Sequence, residues 1–438
     1  MRRYLFALLV LLLPLPAVAP AQSEVGGVED IFSYGAGLRA LGMGGAFTAM
    51  TGDPTMGYWN PGAMAFNQYM EVSVFGTRTI ADTYYAAAFY THPTISLGTL
   101  GLGGMGLYTG GIESYDESGS PITDARTDYL HYQVLASYGY NFRWGLGVGV
   151  TGKVEQMRIT DYKGTGGSFD LGAYFSPPGI PWFALGAVVQ NVYSTGIRLA
   201  DTYEPSTRMY KGGLATNFSL GGGNSRLTFA MDHRVYTDNY NPGSHQLIHD
   251  MAVGMELAFS ENFMIRAGYG YFTLEDAFQN LPVGLAVGMT VRQWGIGIEY
   301  AVNFEDPDWQ GTAELLMRLG LSYRFGSSVD ERRELEASRI RRQIEQGIQE
   351  ATQQYEQRMD ELSQRYEQEK QRVEEELEQR FTERIARLGE RMAEEREDLV
   401  TALSATMEAE KQDALDQLAL EFSQERAALE ADLLEQQN

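Results

Sequence analysis

The sequence predicts an all-β transmembrane barrel of about fourteen antiparallel strands with an N-terminal plug in its lumen, followed by a long C-terminal α-helix or coiled coil. Three observations predict it: strands that alternate apolar with polar residues, connections that alternate short with long, and a final segment of different composition. In the stretch Leu315 to Phe325, the odd positions Leu315, Met317, Leu319, Leu321, Tyr323 and Phe325 are apolar or aromatic, and Arg318, Gly320, Ser322 and Arg324 lie between them. Side chains alternate faces along a strand, so one face suits lipid and the other a polar or crowded lumen. Eleven or so residues are enough for a tilted strand to cross a bilayer core.

The same alternation recurs at Trp294, Ile296, Ile298, Tyr300 and Val302, at Val283 to Val291, and at Met251 to Phe259. It places strands at 69–78, 82–91, 98–109, 127–140, 144–156, 167–176, 181–192, 207–219, 225–235, 247–259, 261–272, 280–290, 292–303 and 312–325. After a short first turn the connections alternate in length. Asn141-Phe142-Arg143, Pro177 to Ile180, Gly221 to Asn224, Ser260 and Val291 are short, whereas 110–126, 157–166, 193–206, 236–246, 273–279 and 304–311 are long and polar. An even strand count with short turns at one rim and long loops at the other is the pattern of outer-membrane barrels, with both chain ends in the periplasm. Trp144, Trp182 and Trp294 fall beside short turns, where an interfacial aromatic girdle lies. A soluble β-sandwich needs neither feature.

Arg2-Arg3, the apolar run Leu5 to Leu15 and Ala17-Val18-Ala19-Pro20-Ala21 read as a signal peptide over 1–21, in a chain bound for the envelope of a diderm bacterium. No later run of about eighteen apolar residues predicts a transmembrane helix. Without cysteine, the chain has neither a disulfide framework nor a thiolate metal site. A net charge of −24 argues against a nucleic-acid partner, which requires clustered Lys and Arg.

Residues 22–68 are expected to form a plug. They carry Gly37-Leu38-Arg39-Ala40-Leu41-Gly42-Met43-Gly44-Gly45-Ala46-Phe47, then Asp53-Pro54 and Tyr58-Trp59-Asn60-Pro61-Gly62-Ala63. Glycine and other small residues let a folded-in segment approach a barrel wall closely, and Asn60-Pro61 is a turn signal ahead of the first strand. This run resembles the N-terminus of the FadL-type outer-membrane transport superfamily, and is most similar to its PorV/PorQ-like branch. The resemblance implies a fourteen-stranded barrel with a lumenal hatch, in which Asn60 and Pro61 are hatch residues and Gly42, Gly44 and Gly45 precede them. The chain departs from the pattern in having Pro54 after Asp53 and Gly62 between Pro61 and Ala63.

From 328 to 438 there is no Pro or Trp, and acidic residues outnumber basic ones. Apolar residues recur at Ile340, Ile344, Ile348, Ala351, Tyr355, Met359, Leu362 and Tyr366, then at Val373, Leu377, Phe381 and Ile385. Spacings of 4-4-3 form an eleven-residue repeat, which predicts a nearly straight or slightly right-handed coil. A continuous helix of this length would reach on the order of 160 Å. Leaving the barrel at Phe325, it should stand in the periplasm and reach a protein partner or peptidoglycan, or join copies into a homo-oligomer.

Several apparent sites are discounted. Gly101-Leu102-Gly103-Gly104-Met105-Gly106 matches a dinucleotide fingerprint but lies inside an alternating strand with no helix after it. His233, His245 and His249 have no ligand spacing, and Asp116, Glu117 and Asp124 read as a solvated loop. No catalytic constellation, metal site or cofactor is expected. The functional expectation is passage of hydrophobic or amphipathic small molecules across the outer membrane, with Phe47, Tyr58 and Trp59 as lumenal ligand contacts and membrane lipid around the barrel. The alternative is a PorV-like barrel, secretion-associated or structural, that docks other proteins.

Overall fold

A computed structural model describes residue 32 and residues 35–78, 83–115, 121–142, 144–199, 202–204, 206–221, 225–237, 247–272, 285–305, 314–391 and 398–437. The predicted signal peptide, His245, Asp116 and Glu117 lie outside these residues, as do several of the predicted long connections. The chain forms two compact units, Met1–Arg333 and Glu334–Asn438.

In the first unit, fourteen of the strands among the described residues close an antiparallel barrel. They are β1 (Met70–Arg78), β2 (Thr83–Pro93), β3 (Thr99–Tyr115), β4 (Pro121–Asn141), β5 (Leu146–Ile159), β6 (Tyr162–Phe175), β7 (Phe183–Ser194), β10 (Met209–Leu220), β11 (Ser225–Thr237), β12 (Leu247–Ser260), β13 (Phe263–Phe272), β14 (Leu285–Gln293), β15 (Ile296–Glu305) and β16 (Glu314–Phe325). Each pairs with its neighbour in the chain, except that β7 pairs directly with β10 across a small hairpin, β8 (Ile197–Leu199) and β9 (Thr202–Glu204). The barrel closes between its first and last strands, in a register that runs from Met70 opposite Phe325 to Gly76 opposite Leu319.

The alternation read from the sequence sets the two faces. On β16, Leu315, Met317, Leu319, Leu321 and Tyr323 are exposed on the outside, and Leu316, Arg318 and Ser322 are buried inside. Such an apolar exterior suits lipid. Trp144, Trp182 and Trp294 are exposed at the rim where β1 begins and β16 ends, hereafter the terminal rim. There, Trp294 and Gly295 both take positive φ (52° and 84°), the conformation of a two-residue hairpin turn whose twist matches its strands.

The predicted long loops need correction at three places. Residues 110–126 are largely strand: β3 runs for 17 residues and β4 for 21. The stretch 157–166 is mostly strand too, since β5 ends at Ile159 and β6 begins at Tyr162. Polar residues there continue the ladder beyond any apolar belt, because backbone groups satisfied by a partner strand need no apolar face. Within 193–206, β8 turns inward, and its Ile197 is buried over the glycines of β6 at 164 and 166.

The second unit corrects the expectation of one continuous rod. Its two long helices are α4 (Val329–Arg391, whose first turn belongs to the barrel unit) and α5 (Asp398–Gln437). They meet antiparallel: the Tyr366 and Phe422 rings are 4.6 Å apart, and Arg358 lies 3.9 Å from Asp432. A single helix with a narrow apolar stripe leaves that stripe wet, and folding back covers it with a second stripe from the same chain.

Candidate functional site

The lumen holds the hatch, which contains three short helices, α1 (Leu38–Gly42), α2 (Met56–Trp59) and α3 (Pro61–Met64). Four- and five-residue helices have no stability of their own, so contacts to the wall must hold them.

Asn60 is the joint between two of these helices. Its Oδ1 accepts from the backbone N–H of Gly62 (2.9 Å) and Ala63 (3.4 Å), capping α3, while Pro61 occupies the first turn. Its Nδ2 donates to the carbonyls of Thr48 (2.8 Å) in the hatch and Ala173 (2.9 Å) on β6. The side chain is fully buried and ties hatch to hatch and hatch to wall. The glycine after Pro61 now has a reason: a Cβ on Gly62 would lie 2.8 Å from the Ala173 Cα.

The other motif glycines also sit where backbone meets backbone. A Cβ on Gly42 would lie 2.9 Å from the Gly288 Cα on β14. Gly44 (φ 66°) would place one 2.6 Å from the Tyr269 carbonyl carbon on β13, and Gly45 has φ 83°. Wall glycines answer them: Gly101 of the discounted fingerprint lies on β3 and makes room for Met64.

Charged side chains fix the hatch to the opposite wall. Arg39 of α1 donates to Glu256 on β12 through Nε (2.8 Å) and Nη2 (2.9 Å), and through Nη1 to the Thr51 carbonyl (2.8 Å). Burial works against the Arg39 charge, but the Glu256 carboxylate more than offsets it, so its pKa stands above the ordinary arginine value. Arg266 on β13 donates to the same carboxylate at 2.6 Å. Asp232 on β11 accepts from the Phe47 and Thr48 amides (2.9 and 2.8 Å) and from the Thr48 hydroxyl (2.6 Å). At the terminal rim, Glu71 accepts from Arg292 (2.6 Å) and Arg324 (2.8 Å).

Phe47, Tyr58 and Trp59 lie in the interior of the hatch. All three are buried; the Phe47 and Trp59 rings are 5.9 Å apart and those of Tyr58 and Trp59 5.2 Å. The Trp59 indole donates to the Ala36 carbonyl at 2.6 Å, and the Tyr58 hydroxyl donates to the Phe32 carbonyl. None of them lines the cavity of about 480 Å³ beside the hatch exit, whose walls include Arg39, Asp53, Glu71, Arg266, Arg292 and Glu299.

The lining of the lumen is mixed. Phe75, Tyr85, Phe89, Met105 and Leu135 make a buried apolar cluster on β1–β4 that packs with the hatch core, and buried ion pairs are spread around the wall: Lys153–Asp170 joins β5 to β6, Arg234–Asp250 joins β11 to β12, Glu256–Arg266 joins β12 to β13, and Arg292 of β14 meets Glu71 of β1. The ionic partners were invisible to sequence reasoning: Glu256 and Arg266 lie on small-residue faces of different strands, and only the register joins them.

No protein-family model matches the chain, and no curated protein matches it. Among solved structures it is similar to the Ralstonia pickettii toluene transporter TbuX, at 12% identity and a TM-score of 0.44, over 67% of this chain and 99% of that one. The P. putida toluene transporter TodX aligns at 11% identity and a TM-score of 0.46, over 65% and 97%. A Pseudomonas aeruginosa FadL homologue aligns at 11% and 0.38, over 66% and 98%.

Proposed function

We propose that this protein is an outer-membrane barrel through which hydrophobic or amphipathic small molecules pass, with the hatch as the gate. The observation that carries this reading is the mixed lining of the lumen. An amphipathic solute has the apolar cluster on β1–β4 for its chain and buried guanidinium and carboxylate groups around the rest of the wall for its head, with the hatch seated among them. Passage requires the hatch to shift, and the bonds that resist the shift are those of Asn60, Arg39 and Asp232. The apolar exterior and the Trp at the terminal rim favour an outer-membrane site, with the terminal rim and the C-terminal region both on the periplasmic side. The reading assigns the chain no chemical reaction.

The helical unit favours a second reading, a PorV-like barrel that docks other proteins, since a diffusion channel needs no such appendage. One experiment separates the two. Liposomes containing the purified protein are mixed with a dye-labelled fatty acid or a labelled sugar, and entry is followed. Under the first reading the fatty acid enters faster than the sugar, and N60A/P61A changes its rate. No entry by a correctly inserted barrel, or a rate that N60A/P61A leaves unchanged, would favour the docking reading.

A further inference from the structure

We propose that the apolar stripe on the early part of α4, from Ala337 to Ile348, is the docking face for a second copy of this chain, helix beside helix, parallel and in register. The repeat carries the argument. Ile340, Ile344 and Ile348 recur eleven residues on as Ala351, Tyr355 and Met359, and again as Leu362 and Tyr366. From Ala351 onward this face is half-buried or buried, and Tyr366 packs on Phe422 of α5. Ile340, Ile344 and Ile348 are 49%, 56% and 41% exposed. One face of one helix is therefore covered by a helix along part of its length and bare along the rest. The bare part has the same period, so a helix fits it.

The flanking charges choose the partner. Glu336 and Arg341 lie on opposite flanks of the stripe, both exposed, and five residues apart. In a parallel pair of helices, ion pairs across the seam join a residue on one flank to the residue five later on the other chain's opposite flank. Two copies in register therefore bring Glu336 of each opposite Arg341 of the other. Flanks that carry Glu336, Arg341 and Glu345 differ from the cationic face of a lipid-bound helix.

The parallel arrangement rests on the membrane reading above, because copies in one membrane share an orientation. In each, α4 starts at the terminal rim, where Val329 N–H donates to the Gln68 carbonyl (2.9 Å) and Arg332 to the Pro93 carbonyl (2.7 Å). Three isoleucines per chain form a small seam, and confinement in a membrane supplies the effective concentration it needs.

The chain has no cysteine, so Ile344→Cys would introduce its one thiol. Full-length I344C in liposomes is oxidised gently and run on a denaturing gel, with Gln346→Cys on the opposite face as control. The expected result is a disulfide-linked dimer from I344C, several-fold stronger than from Q346C. E336K and R341E should each lower the I344C cross-link about twofold to fivefold, as exposed ion pairs do, and E336K/R341E together should restore it. An I344C that stays monomeric, equal cross-linking of both cysteines, a double reversal that does not restore, or cross-linking in native membranes to a different protein would each overturn the proposal. Fatty-acid entry into the same vesicles reads the gate separately, so failure of the seam and failure of the channel are distinguishable.

Discussion

Asn60 meets its hydrogen-bonding capacity within the protein, two bonds through each side-chain atom. Replacing it with alanine leaves the Thr48 and Ala173 carbonyls and the α3 amides without those bonds. The expected cost is about 3 kcal/mol, from buried polar groups that lose their partners. It should be read as faster proteolysis of residues 35–68 in an otherwise intact barrel. Two glycines make a sharper comparison. Gly52 has φ 76° with nothing within 4 Å of an added Cβ, so G52A should cost only about 1 kcal/mol of backbone strain. Gly44 combines φ 66° with a wall so close that an added Cβ would lie 2.6 Å from the Tyr269 carbonyl carbon, so G44A should dislodge that part of the hatch. Chemical unfolding of the two variants would rank them.

Among the elements, the hatch is the one whose fixing bonds can be cut singly. Glu256 stands between Arg39 and Arg266, both largely buried. E256A would leave two guanidinium groups facing each other, and breaking a buried ionic contact costs roughly 3–5 kcal/mol. Single-channel recording should show E256A opening more often than wild type. At the head of α4, Ser328 and Glu331 form a reciprocal cap, with bonds of 3.2 and 3.0 Å. S328A should cost about 1 kcal/mol and increase amide exchange in the first turn.

The elements also show what the sequence discloses. Period-two alternation finds every barrel strand, because one face meets lipid and the other meets protein. The ends of β3 to β6 are missed because strands beyond an apolar belt lose the alternation yet keep their ladder. The antiparallel pairing of α4 with α5 is missed for a related reason: a 4-4-3 stripe is the same whether its partner is another chain or the other half of its own. At the hatch, the glycines and Asn60-Pro61 are legible as local chemistry. Their partners, Gly288, Tyr269 and Ala173, are more than a hundred residues away in the chain, where only the register brings them near.

For the whole molecule, the division at Arg333 and Glu334 predicts that the barrel does not depend on the helical unit. A chain truncated after Arg333 should still insert and show the heat-dependent gel mobility of a closed barrel, and loss of that mobility shift would refute independence. Closure itself has a consequence for biogenesis. The seam joins β1 to β16, so the cylinder cannot be sealed until the last strand has been delivered. By then the hatch, which precedes β1, has already been synthesised, and it bonds to β6, β11, β12 and β15 across the interior. The stopper is thus made before the bottle, but its short helices take their shape only as the arriving strands supply the contacts that hold them. Assembly is then a joint event, in which the wall closes and the hatch is fixed by the same contacts.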